Sequence, residues 1–596
     1  MGFFLLQMQQ KLFFILIVTL FSAVTYANSF TNDFVWDDKK FIQENIGIRS
    51  LNNIPVFFFD TTDGLYRPLR TTLYAFTYSV WGDNKFGYHL NSLLWHTLNS
   101  ILVLLILTRL TSHKFIPVVA ASIFAVHPIH TERVTNMTGG FDLLGIALIL
   151  LSFYLYILYR QNQKKGYLIV SVMSFIAALF SSEEAFILPP LLLLYEIVFN
   201  NLTFDFEKHK KQIYRLASFF AVTAIFVYFR FIVIGLGART NEYVTGSFFT
   251  TFLTMIKIVF YYFYLIFIPY PLTLYREIKT STSLFDPMVI FSLLVILAVS
   301  FIAIKYYKRN KLLAFSIGWF FITFLPFSNI LPLQTLMADR YLYLPSVSSA
   351  ILFSYFFFKI PKKKTVSLLL SVAVITSFLF ITIDRNADWK NDLTLWEETS
   401  KTSSKTSVVW SNLGFAYEQN NRLVDSKSAL STAVSLDPLN EKAHYNLGIV
   451  YMKQKNYGKA TDAFISAINN NPSYVKAYDS LGLTYYYASL EIPEQRDFFS
   501  DQAKQSFEKA IIVEPRYYKS YSDLGIVYAQ QGNLTVAISL FERSIQLNPW
   551  NHEAYYNLGI IYEALEETTK ARQNFLTASS LQPENNVYTQ KVKQYS

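Results

Sequence analysis

Two adjacent carboxylates, Asp37 and Asp38, end the run Phe34-Val-Trp-Asp-Asp38. Adjacent acids suit proton chemistry, in which one takes a proton from an attacking hydroxyl while the other orients it or binds a metal. They also suit a helix cap or a solvated loop. More polar residues interrupt apolar surroundings at Tyr66-Arg-Pro-Leu-Arg70, His127-Pro-Ile-His-Thr-Glu-Arg133, Gly139-Gly-Phe-Asp142, Glu183-Glu184 and Ala338-Asp-Arg-Tyr-Leu-Tyr-Leu-Pro345. Arg340 and Arg67 are cations able to face a developing anion, and His127 and His130 are hydrogen-bond donors to it. Glu132 can hold one of these groups in place. The two histidines also suit a metal, but without a third ligand they specify no site. A divalent ion stays open.

Such groups need elements to gather them. Of the 596 residues, 52% are hydrophobic and 16% charged, against ~25% charged in soluble domains. Zero cysteines exclude disulfides, thiolate metal sites and a cysteine nucleophile. Charge is sparse as far as Ile383, and eleven apolar stretches there suit helices crossing ~30 Å of hydrocarbon. They run from Phe13–Tyr26 to Val366–Ile383 and include Ile116–Thr131, Ala185–Phe199, Leu216–Ile234 and Leu312–Ile330. Lys and Arg cluster in alternate short loops, at Arg109/Lys114, Arg160/Lys164/Lys165, Lys208/Lys210/Lys211/Arg215, Lys305/Lys308/Arg309/Lys311 and Lys362/Lys363/Lys364. This pattern puts them on the cytoplasmic face. It accounts for the net charge of +10 without nucleic acid and gathers the polar motifs on the other face. Counting Phe252–Ile268 as a span would reverse the Lys305–Lys311 cluster, so that stretch reads as re-entrant or interfacial. Met1–Ala27 reads as an uncleaved first helix, with a cleavable signal peptide as its rival.

Beyond Asp384 the chain repeats. Leu-Gly pairs begin at Leu413, Leu447, Leu481, Leu524 and Leu558, and prolines keep step at Pro438, Pro472, Pro515, Pro549 and Pro583. One unit carries His444, Leu447, Gly448, Tyr451, Ala460, Phe464, Ala467 and Pro472, which is the tetratricopeptide pattern of paired helices. Five repeats exceed the three needed to share a core. The third has nine extra residues, expected around Glu491–Asp501 as a longer turn. Asn412, Asn446 and Asn557 recur two places before the glycine, with Ser480 and Asp523 at the equivalent positions. Their amides either bind a peptide backbone in the groove or bond within their own repeats.

The ordered set of motifs resembles the transmembrane and tetratricopeptide-repeat-containing O-mannosyltransferases, which are polytopic glycosyltransferases of the GT-C class. The matching pieces are Trp36-Asp37-Asp38, Tyr66-Arg67-Pro68-Leu69, His127-Pro128-Ile129-His130-Thr131-Glu132, Tyr341-Leu342-Tyr343-Leu344-Pro345-Ser346 and the repeats. The resemblance implies transfer of a sugar from a polyisoprenyl-phosphate donor to an extracytoplasmic acceptor. Asp37 would then be the base and Asp38 its partner. Arg340, Arg67, His127, His130 and Glu132 would serve the donor, and Asn412, Asn446 and Asn557 a protein acceptor. A single base facing the leaving phosphate inverts the anomeric centre, unlike a retaining pair. The family usually has Lys-Glu at Ser182-Glu183 and Gly-Arg-x-Asp at Gly139-Gly140-Phe141-Asp142, while Arg133 stands close by.

The expected fold is therefore all-α: a GT-C-type helical membrane bundle followed by a tetratricopeptide-repeat solenoid. Its parts are a membrane domain over 1–383 with a large first loop at 28–89, an interfacial connector over 384–403 anchored by Trp389 and Trp396, repeats over 404–584 and a tail over 585–596. The expected partners are the lipid bilayer, the polyisoprenyl-phosphate sugar and a polypeptide. The expected location is a bacterial inner membrane with periplasmic repeats, or an endoplasmic-reticulum membrane with luminal ones. A non-catalytic membrane scaffold and a transferase acting on glycan or lipid remain alternatives.

Overall fold

The computed structural model describes residues 2–59, 65–203, 206–235, 242–359 and 363–595; Lys362 of the last basic loop lies outside them. Among the described residues there are helices and no strands. The chain divides into two compact units, Met1–Ser403 and Ser404–Ser596.

The first unit is built from α1 (Gly2–Tyr26), α2 (Pro68–Trp81), α3 (Lys85–Leu110), α4 (Ile116–Ala125), α5 (Met137–Asn162), α6 (Lys165–Leu179) and α7 (Leu188–Asn200). There follow α8 (Phe206–Tyr228), α9 (Phe248–Phe267), α10 (Pro287–Tyr306), α11 (Lys311–Phe324), α12 (Ser346–Lys359), α13 (Lys364–Asp388) and α14 (Asp392–Thr402). Seven helices among the described residues are long and apolar enough to cross a membrane: α1, α3, α5, α8, α9, α10 and α13. This is an integral membrane protein. Its core is mainly aliphatic, with aromatic rings packed through it. Phe153 meets Trp319 at 5.7 Å between ring centres, and the Trp319 indole N–H donates to the Leu344 carbonyl at 2.8 Å.

Several expected spans are shorter than their apolar runs, and proline is the reason. Ile116–Thr131 is not one helix: α4 stops at Ala125, before Pro128, and a tight turn covers Pro128–His130. Proline lacks an N–H and disfavours helical backbone in the residue before it. Pro189 and Pro190 likewise follow a tight turn at Glu183–Ile187, and Pro326 follows the end of α11 at Phe324. Each break puts a polar segment at a helix end, where its side chains are free to converge.

Other expectations need correction. Phe252–Ile268 does not fold back as a re-entrant loop: it lies in α9, which runs unbroken for 20 residues, ~30 Å at 1.5 Å per residue, a length that suits a span or an interfacial helix. Nothing breaks at Asp384, because α13 continues to Asp388. Trp389 and Trp396 are buried inside the unit, so they are packing residues and not interfacial anchors.

The second unit is five antiparallel helix pairs. The pairs are Ser407–Gln419 with Leu423–Leu436, Glu441–Lys453 with Tyr457–Asn470, Val475–Glu491 with Arg496–Val513, Tyr518–Gln530 with Leu534–Leu547, and His552–Ala564 with Thr568–Leu581. The repeated glycine is there for close approach. A Cβ at Gly448 would lie 2.7 Å from the Phe464 ring, and one at Gly559 would lie 2.5 Å from Phe575. In the third pair the helices have 17 and 18 residues, where the others have 13 and 14. The insertion therefore mainly lengthens the helices, not the turn as expected. The expected tail forms a helix at Asn586–Lys593, whose neighbour Tyr595 donates to Glu563 at 2.7 Å and closes the last repeat.

Candidate functional site

In the first unit the polar loops line one cavity of about 400 Å³. Its walls carry Asp37, Glu132, Asp142, Glu183 and Glu184 together with Arg67, Arg70, Arg133, Arg230 and Arg340. Five acids face five arginines. Phe231, Phe327, Leu331 and Leu333 make another part of the wall apolar.

Four of the acids are tied to arginines. Asp142, near the start of α5, pairs with Arg67 at 2.8 Å, Arg133 at 3.0 Å and Arg70 at 3.2 Å. Glu183 bridges Arg67 at 2.7 Å and Arg230 at 3.1 Å, and Glu184 pairs with Arg133. Glu132 holds Arg340 twice, through its guanidinium and through the backbone N–H at 2.9 Å. Buried charges persist when they are paired in this way. Burial works against the Arg340 and Arg67 cations, but Glu132 and Asp142 more than restore them, so both pKa values stand above the ordinary arginine value. Burial also raises the Glu132 carboxyl, against the pull of Arg340. Two guanidinium nitrogens in this wall, Arg70 Nε and Arg230 Nε, are buried without a hydrogen-bond partner among the described residues.

Asp37 is the exception. It has no ion pair or hydrogen bond to any described residue, although it faces the charges of Arg340, Arg70 and Lys40. Burial raises its pKa above the ordinary carboxylate value despite those cations. A half-buried carboxylate without a partner, facing a cavity, is a proton acceptor with nothing to displace first.

Asp38 does something different from what the motif suggested. Its carboxylate is buried and accepts the N–H groups of Val35 at 3.2 Å and Thr138 at 2.7 Å. It fastens the loop to the start of α5 and does not line the cavity. Burial raises its pKa to about 6.

His127 and His130 are also placed away from the cavity. Both rings are fully buried: His127 Nε2 lies 3.0 Å from the Ile266 carbonyl, and His130 Nε2 lies 2.8 Å from Ser346 Oγ. His130 packs with His96 and Tyr343, His127 packs with His130 and Phe378, and His96 bonds Tyr343 at 2.8 Å. These histidines stiffen the wall behind the site. Among the described residues no three His, Asp or Glu side chains form a group able to hold a metal.

Sequence reasoning missed Arg230 altogether. Its signal was visible, as a lone charge inside the apolar run Leu216–Ile234, where such residues are costly and tend to mark a site. The two departures from the family pattern also find a physical setting. A side chain at Gly140 would put its Cβ 1.8 Å from Ser92 Oγ, so no arginine fits there. Ser182 is buried and caps the Glu183–Ile187 turn by accepting the Glu184 N–H at 3.2 Å. Arg133 and Arg230 instead bring cations to Asp142 and Glu183.

In the second unit Asn412, Asn446 and Asn557 lie half-buried on the first helices of their repeats. None of their amides bonds a described residue, whereas Ser480 at the equivalent place donates to Tyr445 Oη at 3.4 Å.

A domain family described as Dolichyl-phosphate-mannose-protein mannosyltransferase matches residues 68–229, and tetratricopeptide repeat families match 441–474, 527–566 and 552–585. The chain is thus similar to a mannosyltransferase family in its first unit and to tetratricopeptide repeat families in its second. A protein O-mannosyl-transferase of Caenorhabditis elegans is 25% identical over 457 residues, covering 72% of this chain and 63% of that protein. One of Homo sapiens is 25% identical over 468 residues, covering 67% and 63%. One of Drosophila melanogaster is 33% identical over 172 residues, covering 27% and 20%. The chain thus spans less than two thirds of these relatives. Among solved structures, a thermophilic tetratricopeptide protein of Thermus thermophilus is 19% identical, covering 32% of this chain and 98% of that one at a TM-score of 0.29. The mannosyltransferase-family match contains most of the charged wall: Arg70, Glu132, Arg133, Asp142, Glu183 and Glu184. Asp37, Arg67, Arg230 and Arg340 lie outside it.

Proposed function

We propose that this protein transfers a hexose, mannose, from a polyisoprenyl-phosphate donor to Ser or Thr hydroxyls of extracytoplasmic proteins. The observation that carries the reading is the partnerless Asp37 in a cavity whose other four acids are tied to arginines. In the proposed step the acceptor oxygen bonds to the anomeric carbon, the bond from that carbon to the phosphate oxygen breaks, and Asp37 takes the hydroxyl proton. The donor phosphodiester carries one negative charge and the departing polyisoprenyl phosphate gains another. Preplaced cations lower the barrier to that change. Arg340 is the first candidate for this role and Arg67 the second, with Glu132 holding Arg340. Attack opposite the leaving phosphate inverts the anomeric centre. The apolar wall around Phe231 and Leu331 suits the isoprenyl tail. Asn412, Asn446 and Asn557 would bind the backbone of the acceptor polypeptide, whatever its sequence.

The test is transfer of radiolabelled sugar from a panel of polyisoprenyl-phosphate donors, in membranes holding wild type or Asp37→Asn. Label entering protein with wild type alone supports the reading and names the donor. Label in glycan or lipid overturns the acceptor. Label no higher than in membranes lacking the protein, with both proteins abundant, overturns the enzyme in favour of a scaffold, and equal label above that level removes Asp37 as the base.

A further inference from the structure

We infer that Asp392, at the start of α14, is a positioning residue for Asp37, and that α14 sets the loop carrying the base. This rests on Asp37 being the base proposed above. Trp36, next to Asp37, has a φ of 51°. A bulky residue in the left-handed region is an outlier that persists only where its surroundings determine it.

Those surroundings come largely from α14 and the residues leading into it. Asp392 Oδ1 accepts the Trp36 N–H at 2.8 Å, and Asp392 Oδ2 meets Lys39 Nζ at 2.5 Å. The Asp33 N–H donates to the Lys390 carbonyl at 2.8 Å. Trp396, one turn further along α14, meets the Trp36 indole edge-on at 6.3 Å between ring centres. The Arg340 guanidinium lies 5.7 Å from the Trp36 ring, so the indole connects α14 to the cation of the site.

Residues 33–39 are therefore fastened on two sides. Asp38 ties them to Thr138 at the start of α5, while Asp392, Lys390 and Trp396 tie them to the other side. Asp37 sits between these fastenings with no bond of its own to any described residue. A base held by its neighbours' bonds stays free to take a proton and is still fixed in direction. Direction matters, because a displacement of ~1 Å at a reacting group can cost ~10²-fold in rate. Asp392 does not line the cavity, so its effect passes through the Trp36 backbone.

The experiment compares Asp392→Ala, Asp392→Asn and Asp37→Asn in the full-length protein. Transfer is measured from a radiolabelled mannosyl-phosphoryl-polyprenol and expressed per molecule quantified in the membrane. Asp392→Ala removes both contacts and is expected to lower kcat at least tenfold, with the donor KM within twofold of wild type. Asp392→Asn keeps an oxygen for the Trp36 N–H and is expected to stay within threefold of wild type. A purely structural bond would lower abundance and leave kcat per molecule unchanged. If Asp392→Ala does not accumulate, Trp396→Leu takes its place, with the same fall in kcat at constant KM. Loss of transfer in Asp37→Asn beside wild-type kcat in Asp392→Ala or its substitute overturns this inference alone. Wild-type transfer by Asp37→Asn overturns the base on which it rests.

Discussion

The cavity of the membrane unit and the first helices of the repeats leave opposite kinds of polar group without a partner. In the cavity the charges are matched side to side, and the exception is an acid, Asp37. On the repeats the exceptions are neutral amides, Asn412, Asn446 and Asn557, in one register of successive first helices. A buried polar group without a partner carries a free-energy cost, while a half-buried one keeps its bonding capacity open. Where the structure tolerates one, a ligand is a natural candidate to complete it. The two regions differ in what they would receive: a single proton at a fixed point, or an extended backbone along a row.

The strongest way to break this contrast is Asp37→Asn. General base catalysis contributes ~10²–10⁴-fold, so transfer should fall by that much while abundance in the membrane is unchanged. The pH profile sharpens the point. Burial raises the folded pKa of Asp37, so the active, ionised form is lost as pH falls through a value above the ordinary carboxylate range. Wild-type kcat/KM should therefore decline on the acid side from that raised pKa. The residual rate of Asp37→Asn should lack that limb, and an unchanged limb in the variant would assign it to another group.

Arg340→Ala comes next. Removing a preplaced donor to a developing anion costs ~10²–10³-fold, and here it also leaves Glu132 buried without its cation. Arg340→Lys should recover part of the loss, because a charge returns without the fork that engages Glu132. Wild-type transfer by Arg340→Ala would move the anion to the arginines around Asp142.

How far each region was legible in the sequence follows from the range of its contacts. The repeats could be read because Gly448, Phe464 and Pro472 recur at a fixed beat and each contact is local. The apolar runs marked the helices, although Pro128 and Pro326 cut two of them short of the expected ends. The cavity was legible only in its ingredients. Arg340 and Glu132 are 208 positions apart, and Trp36 and Asp392 are 356 apart. No spacing rule reports such pairs. Asp38 shows the same limit: beside Asp37 it looks like a second catalytic acid, and only the positions of Val35 and Thr138 reveal a fastening. Trp396 looked like an anchor at the membrane surface because its burial against Trp36 comes from tertiary packing.

A smaller effect separates stability from chemistry. Gly448→Ala puts a methyl 2.7 Å from the Phe464 ring, and overpacking of this kind costs ~1–3 kcal/mol. Thermal unfolding of the purified protein should show a destabilised repeat unit. Transfer to a short peptide that does not need the groove should be unaffected, while transfer to a folded protein acceptor should fall. Equal loss for both acceptors would count against the repeats as a presenting surface.

The smallest expected effect is also the most selective. Asn446 bonds no described residue, so Asn446→Ala removes no intramolecular hydrogen bond and should leave the unfolding temperature of the repeats within error of wild type. If its amide receives acceptor backbone, losing one neutral hydrogen bond of ~0.5–1.5 kcal/mol should raise the KM for protein acceptors by ~2–13-fold, with kcat and the donor KM unchanged. Asn412→Ala and Asn557→Ala should add to it, because separated positions along one row contribute independently. A triple variant with the wild-type acceptor KM would show that the row does not bind the acceptor. The same variant with a lowered unfolding temperature would show that the amides work within the repeats.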